Sequence, residues 1–411
     1  MLTFYKKLLE KNKRFEVGNI TEKFNFKIKT KRLLVTGCLV GIFCFVWSFL
    51  DSPERAWINY LVDFFYFMSL ALGGGFILAL TAVTSAAWAT PYKRLLEALT
   101  KFLPYGLILG AGLFFGIHTL YEWSHPELVA KDEILQGKSI YLNVGFFMAR
   151  MAFFILVWWG LTKILTSLSL KQDKNPEFSL SAKMTKWGAI FLIVFAFTYS
   201  FASFDWLMSV RPHWFSTIYG IYTFSGLFVN VLAVVTLMLI WMQGKGYYKD
   251  VINENHYHDL GKLIFGFSSF WAYIWISQYL LIWYANIPEE TGYFLQREIH
   301  GWDWLFFFNL GINWLIPFFA LMTRKAKRST FILGRVCILL IIGRWLDIYL
   351  MVAPDVYHHA GVTNPQIGIP EIGIAIGLAS FFILVVGRAL SKTPLMPKND
   401  AFLQEGLNLH Q

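Results

Sequence analysis

Residues 58–83 read INYLVDFFYFMSLALGGGFILALTAV. Asp63 is the sole charged side chain in this run, and a helix needs about 20 mostly apolar residues to cross the hydrocarbon layer of a membrane. Comparable runs lie near 33–50, 102–121, 140–166, 186–204, 214–242, 261–285, 302–323, 329–353 and 367–390. Together they describe an all-α, polytopic membrane protein with ten transmembrane helices. Composition agrees, because 56% of the 411 residues are hydrophobic and 15% charged, with 40 Phe, 17 Trp and 19 Tyr. A soluble domain carries about a quarter charged residues, and burial in a single soluble core stops growing with chain length. Lipid is the solvent this chain requires.

The first run follows a basic leader of 32 residues and has no small-residue cleavage site near Ser48–Pro53. It therefore reads as a retained span and not as a cleaved signal peptide. The expected organisation is a basic leader over 1–32, a transmembrane domain over 33–390 and a tail over 391–411.

Direction follows from the 36 Lys and Arg residues. One set of connections, alternating in register with the spans, holds Arg55, Lys131, Lys138, Arg211 and Arg297. Arg150, Arg335 and Arg344 fall within spans, and all the others lie on the opposite side, with the leader and the tail. The positive-inside bias places both termini in the cytoplasm. The net charge of +10 is thus a topology signal and a contact for anionic lipid headgroups, and it implies no nucleic-acid partner. Trp47, Trp57, Trp123, Trp206, Trp214, Trp283, Trp302 and Trp304 fall at the other ends of the spans, where an interfacial belt belongs. The longest connections, 122–139, 167–185, 286–301 and 354–366, are too short to fold alone. Soluble chemistry must come from partner chains.

Ionisable groups in lipid are costly and mark candidate sites. At 1.5 Å rise per residue, Asp63 lies roughly 8 Å inside the outer end of its span, Arg150 about 15 Å and Arg344 about 13 Å. Asp347, Glu371, His118, Glu122 and Asp205 lie nearer the outer surface, and only Arg335 belongs to the inner half. His118 and Glu122 are spaced i,i+4, and Arg344 and Asp347 i,i+3, so each pair shares a helical face. These eight outer groups are candidates for a proton path or a quinone contact, with Arg150 expected to hold a carboxylate such as Asp63 ionised. Structural ion pairing is the competing reading of the same residues. The sequence assigns no catalytic residue and no metal ligand. Cys38, Cys44 and Cys337 lie in apolar runs without ligand spacing, and membrane-embedded b-type haem needs facing histidines that this chain lacks. His256 and His258 have metal-like spacing but open a cytoplasmic loop and are assigned no metal. Gly73–Gly75 sits in mid-span and reads as close helix contact or a local break.

Two stretches are more distinctive. Residues 201–209, FASFDWLMS, with 212–217, PHWFST, and residues 270–291, FWAYIWISQYLLIWYANIPEET, resemble the ActF-type subunits of bacterial alternative complex III, within the NrfD/PsrC-like integral membrane family. Val210 and Arg211 follow the Met–Ser pair, where members of that family often carry an acidic residue. The resemblance implies two four-helix bundles, spans 2–5 and 6–9, flanked by spans 1 and 10, in a bacterial inner membrane. It implies a respiratory complex that oxidises menaquinol and passes electrons to cytochrome c or a terminal oxidase. The expected partners are a paralogous NrfD-like subunit, an Fe–S subunit, and multihaem and monohaem cytochrome c subunits. The Fe–S clusters and c-type haems belong to those partners. This chain is expected to bind no redox centre, which leaves menaquinone open as a contact and proton translocation as a role. A stand-alone secondary transporter or proton channel is the alternative, since ten spans with buried Asp and Arg and a glycine-marked break suit that class too.

Overall fold

The computed structural model describes residues 22–249 and 251–409. Residues 1–21 of the expected leader, and 410–411 of the expected tail, lie outside them. The principal elements are α1 (Ile28–Asp51), α2 (Pro53–Thr84), α3 (Thr90–Leu120), α4 (Val144–Lys174), α5 (Phe178–Trp206), α6 (Tyr219–Gly244), α7 (Glu254–Ala285), α8 (Trp302–Ala320), α9 (Thr330–His359) and α10 (Ile369–Leu390). Among the described residues nine of these, all but α7, are long and apolar enough to cross a membrane. The chain is therefore an all-helical, multi-pass membrane protein. The 32-residue α7 is less apolar, because Trp271, Tyr273, Trp275, Gln278, Tyr279, Trp283 and Tyr284 occupy it.

Local chemistry sets the helix ends. Ser52 accepts from the Arg55 amide at 3.4 Å ahead of Pro53, whose fixed φ suits a first turn. Asn143 accepts from the Phe146 amide at 2.9 Å, and Asn253 and His256 close a reciprocal cap on α7. At the far ends of α2 and α7, Ser85 and Asn286 adopt left-handed conformations with φ of 54° and 47°, which stops each helix.

α2 is the central element, packed on α3, α5, α6 and α9. Gly73–Gly75 lies in unbroken helix, so close contact is the right reading and a local break is not. A Cβ on Gly73 would lie 2.9 Å from Val231 of α6, one on Gly74 2.9 Å from the Leu96 carbonyl of α3, and one on Gly75 2.7 Å from Thr162 of α4. Breaks occur elsewhere. α3 is divided by 3₁₀ turns at Thr100–Phe102 and Phe114–Gly116, and α8 by a π turn at Gly311–Leu315.

Two segments outside the expected spans are packed at the basic end of the molecule. In the 84–101 connection, Lys93–Leu99 is helical and buried. Arg94, 1% exposed, pairs there with Glu97 and with Asp173. The expected 391–411 tail is likewise packed over its described part, 391–409. Residues 391–409 form a strap that buries Leu395, Met396, Ala401 and Leu403. The strap contacts α4 through Asp173 and α7 through His256, whose Nε2 lies 3.0 Å from the Gly406 carbonyl oxygen.

α1 and α10 pack together at the periphery through glycine. A Cβ on Gly41 would lie 2.4 Å from Gly377 Cα, and one on Gly373 2.2 Å from Cys44 Sγ. Gly41→Leu should therefore push the helices apart and destabilise by about 1–3 kcal/mol, the usual cost of overpacking. A lowered thermal midpoint of the detergent-purified chain would report it. Gly266→Leu on α7, with no heavy atom within 4 Å of a Cβ, serves as the control and should leave the midpoint unchanged.

Candidate functional site

The most developed polar centre surrounds Asp347 on α9, which is 1% exposed. Its carboxylate accepts from Arg344 one turn earlier and from the Tyr222 hydroxyl of α6. Trp271 Nε1 of α7 donates to it at 3.2 Å and Asn309 Nδ2 of α8 at 3.0 Å. Four consecutive helices thus converge on one carboxylate. The expected i,i+3 pairing of Arg344 with Asp347 is observed.

Small residues and one irregular turn make the convergence possible. A Cβ on Gly226 would lie 2.3 Å from Arg344 Nη1, so the glycine leaves room for the guanidinium, whose Nη2 donates to the Thr223 carbonyl at 3.2 Å. Asn313, inside the π turn of α8, donates to Asn309 Oδ1 at 2.7 Å and fixes the amide that faces Asp347. The Asn313 carbonyl accepts from Ser268 Oγ at 2.5 Å. A π turn displaces backbone partners and is frequent at functional sites. Here it turns two asparagines toward the same centre.

From Asp347 a narrow pocket, with room for a water molecule, runs past Asn309 and Gln278 to Arg297. Gln278 Nε2 has no hydrogen-bond partner among the described residues. Arg297, 1% exposed, donates to Asp355 Oδ2 at 2.6 Å and to the carbonyls of Leu350 and Tyr293 at 2.9 and 2.7 Å. Asp355 Oδ1 accepts from Arg211 at 3.1 Å, and Arg211 reaches the surface with 21% side-chain exposure. A chain of polar groups therefore leads from the interior to the aromatic end of the bundle.

The sequence reading missed Arg297 and Asp355 because it placed both in connections, at 286–301 and 354–366. A signal was available. Asp347, Met351 and Asp355 are spaced i,i+4 and i,i+8, which continues the polar face of α9 for two more turns. Arg211, the basic residue behind the Met–Ser pair, is the surface partner in this arrangement.

The second centre lies between α4 and α5. Arg150 Nε donates to Asp205 Oδ2 at 2.7 Å and Nη1 to the Tyr141 carbonyl at 2.8 Å. Its guanidinium lies over the Tyr141 and Phe146 rings at 3.8 and 4.3 Å. The expected Arg150–Asp63 pairing is therefore wrong. Arg150 faces α5 from α4, whereas Asp63 lies on the face of α2 that packs against α9. Asp63 is fully buried and accepts from Trp345 Nε1 at 2.7 Å. Its other oxygen has no partner among the described residues.

His118 and Glu122 do not share a face either. α3 ends at Leu120, and Tyr121 is extended, with φ −129° and ψ 115°. That break frees His118 to meet Ser124 Oγ at 3.0 Å, while Glu122 turns to His359 Nε2 at 3.1 Å. Glu371 caps α10. It accepts from Arg55 Nε and Nη2 at 2.7 Å each, from Asn59 Nδ2 at 3.0 Å and from the Gly368 amide at 2.8 Å. With all those donors engaged, it is a structural tie between α2 and α10. His256 is likewise committed to its cap and to Gly406. The candidate residues at shared depth thus form separate centres, and Asp347 opens onto the polar pocket that leads to Arg297.

No family model matches the chain, and no curated protein matches it.

Proposed function

We propose that this chain is an ActF-type, non-redox membrane subunit of a bacterial menaquinol-oxidising complex, and that its α6–α9 bundle carries a proton half-path ending at Asp347. In this reading all ten helices span the inner membrane, with both termini cytoplasmic. α2–α5 and α6–α9 are the two bundles, and α1 and α10 flank them. Support for the topology comes from the distribution of Lys and Arg. The helix contacts are consistent with the bundles, since α4–α5, α6–α7 and α6–α9 pack together and α1 packs on α10.

The observation that carries the proton reading is the pocket joining Asp347 to Arg297, whose guanidinium is in turn paired with Asp355. A buried carboxylate takes up a proton when its ion pair is weakened, and a single bridging water suffices to relay it. Electron transfer is assigned to partner subunits bearing haem and Fe–S clusters, with menaquinone as the shared substrate of the complex.

A stand-alone transporter is favoured by one feature, the interruption of α8 beside a buried polar centre. Gentle purification through a tag on this chain separates the two. Haem absorbance should accompany the chain from its native membrane, and a haem-free, partner-free preparation would favour the transporter. The proton reading is tested in the intact complex by Gln278→Leu, which removes the amide from the pocket without altering an ion pair. The expected result is normal assembly and quinol oxidation with a lower proton yield per quinol in liposomes. An unchanged proton yield would overturn it.

A further inference from the structure

At the basic end a polar pocket lies between the close of α2 and the starts of α3 and α5. Thr81, Thr90, Lys93 and Ser181 line it from the helices, and Asp400 and Phe402 of the strap contribute the remaining wall. Without the strap the pocket would lose the wall made by Asp400 and Phe402. Across the seam, Lys93 Nζ donates to Asp400 Oδ2 at 2.8 Å, with the two residues 9% and 7% exposed.

Asp173 at the end of α4 makes a second attachment. Its Oδ1 accepts from the Lys398 amide at 2.9 Å and its carbonyl from Asn399 Nδ2 at 2.9 Å, while its other carboxylate oxygen pairs with Arg94. Farther along, the strap reaches the α6–α7 connection and the start of α7. Tyr248 donates to the Leu395 carbonyl at 3.0 Å, and Asn253 and Asn255 donate to the Leu409 carbonyl at 3.2 and 3.1 Å.

The strap has a single short helix, Leu403–Leu407, is otherwise irregular, and docks through these hydrogen bonds and through Leu395, Met396, Ala401 and Leu403. Segments of this kind open at lower free energy than the packed core. We propose that residues 391–409 act as a latched strap that opens and closes the Lys93 pocket to solvent at the basic end, with the Lys93–Asp400 pair as the latch. Undocking removes a wall of the pocket and also releases the tie between α4 and the α6–α7 connection. Burial pushes the Asp400 carboxyl up, but the neighbouring Lys93 charge outweighs it and holds the group below the usual carboxylate range. Asp400 is therefore ionised at neutral pH.

The test uses the full chain in detergent, with Cys38, Cys44 and Cys337 replaced by alanine and Thr90→Cys introduced as the probe. Thr90 is 5% exposed, so a hydrophilic maleimide should react slowly. Asp400→Lys, which places two cations across the seam, should speed labelling about tenfold, the equivalent of about 1.4 kcal/mol of opening. The exchanged pair, Lys93→Asp with Asp400→Lys, should return the rate toward that of the parent. Equal rates in the parent and Asp400→Lys would overturn the proposal. So would an increase that the exchange fails to reverse, because that result marks general loosening and not a latch.

Discussion

Asp347→Ala should lower the yield of folded protein more than any other single substitution on α6–α9. The change leaves Arg344, 2% exposed, without its counter-ion. It also removes the acceptor shared by Tyr222, Trp271 and Asn309. Breaking a buried pair from one side costs about 3–5 kcal/mol, and each stranded donor adds to that, though not additively. Against a total stability of about 5–15 kcal/mol, such a loss is disabling. The measurement is monodisperse yield and thermal midpoint in detergent. Two further variants separate charge from shape. Asp347→Asn retains an acceptor for the three neutral donors and should be less damaging than alanine. Arg344→Met with Asp347→Leu removes both charges and should recover part of the yield, as replacement of buried ion pairs by apolar residues often does. A wild-type midpoint for Asp347→Ala would show that Arg344 finds another partner at little cost.

Arg150→Ala should be the comparable lesion between α4 and α5. Asp205, 1% exposed, keeps one carboxylate oxygen without a protein partner among the described residues even in the intact chain. Loss of the guanidinium leaves the whole charge uncompensated, again at about 3–5 kcal/mol. Asp205→Asn in the same chain should restore much of the midpoint by removing that charge. Asp63→Asn is the informative contrast. If Asp63 were the partner of Arg150, its neutralisation would strand the arginine and be as harmful. Because Asp63 instead accepts one neutral bond from Trp345, the asparagine variant should shift stability by no more than about 1 kcal/mol. Equal damage from Arg150→Ala and Asp63→Asn would contradict the observed pairing.

The positions of the helices were legible because lipid imposes a compositional rule on every residue of a span. The run at 33–50 is the body of α1, and 367–390 differs from α10 by two residues at one end. Boundaries failed where polar groups continue a helix past the apolar run. α3 begins at Thr90 because Arg94 finds carboxylate partners in Glu97 and Asp173. Similarly, α9 extends to His359 because Asp355 is paired with both Arg211 and Arg297. An apolarity count cannot see a charge that is neutralised by a distant residue. The Arg344–Asp347 pair was legible because both partners lie within one helical turn. Arg150–Asp205 and Arg55–Glu371 were not, since their partners are 55 and 316 residues apart.

By itself, then, the sequence determined the membrane as solvent, the approximate places of the helices and the eight ionisable groups worth attention. Tertiary structure decided which of those groups meet, and it recruited Arg297, Asp355, Asn309 and Gln278, which the apolar runs did not mark. The physical reason is rotational. A span that is hydrophobic nearly all round carries little amphipathic signal, so the direction of each side chain is set by packing against neighbouring helices. Small residues such as Gly226 and Gly74 then determine how closely those neighbours approach.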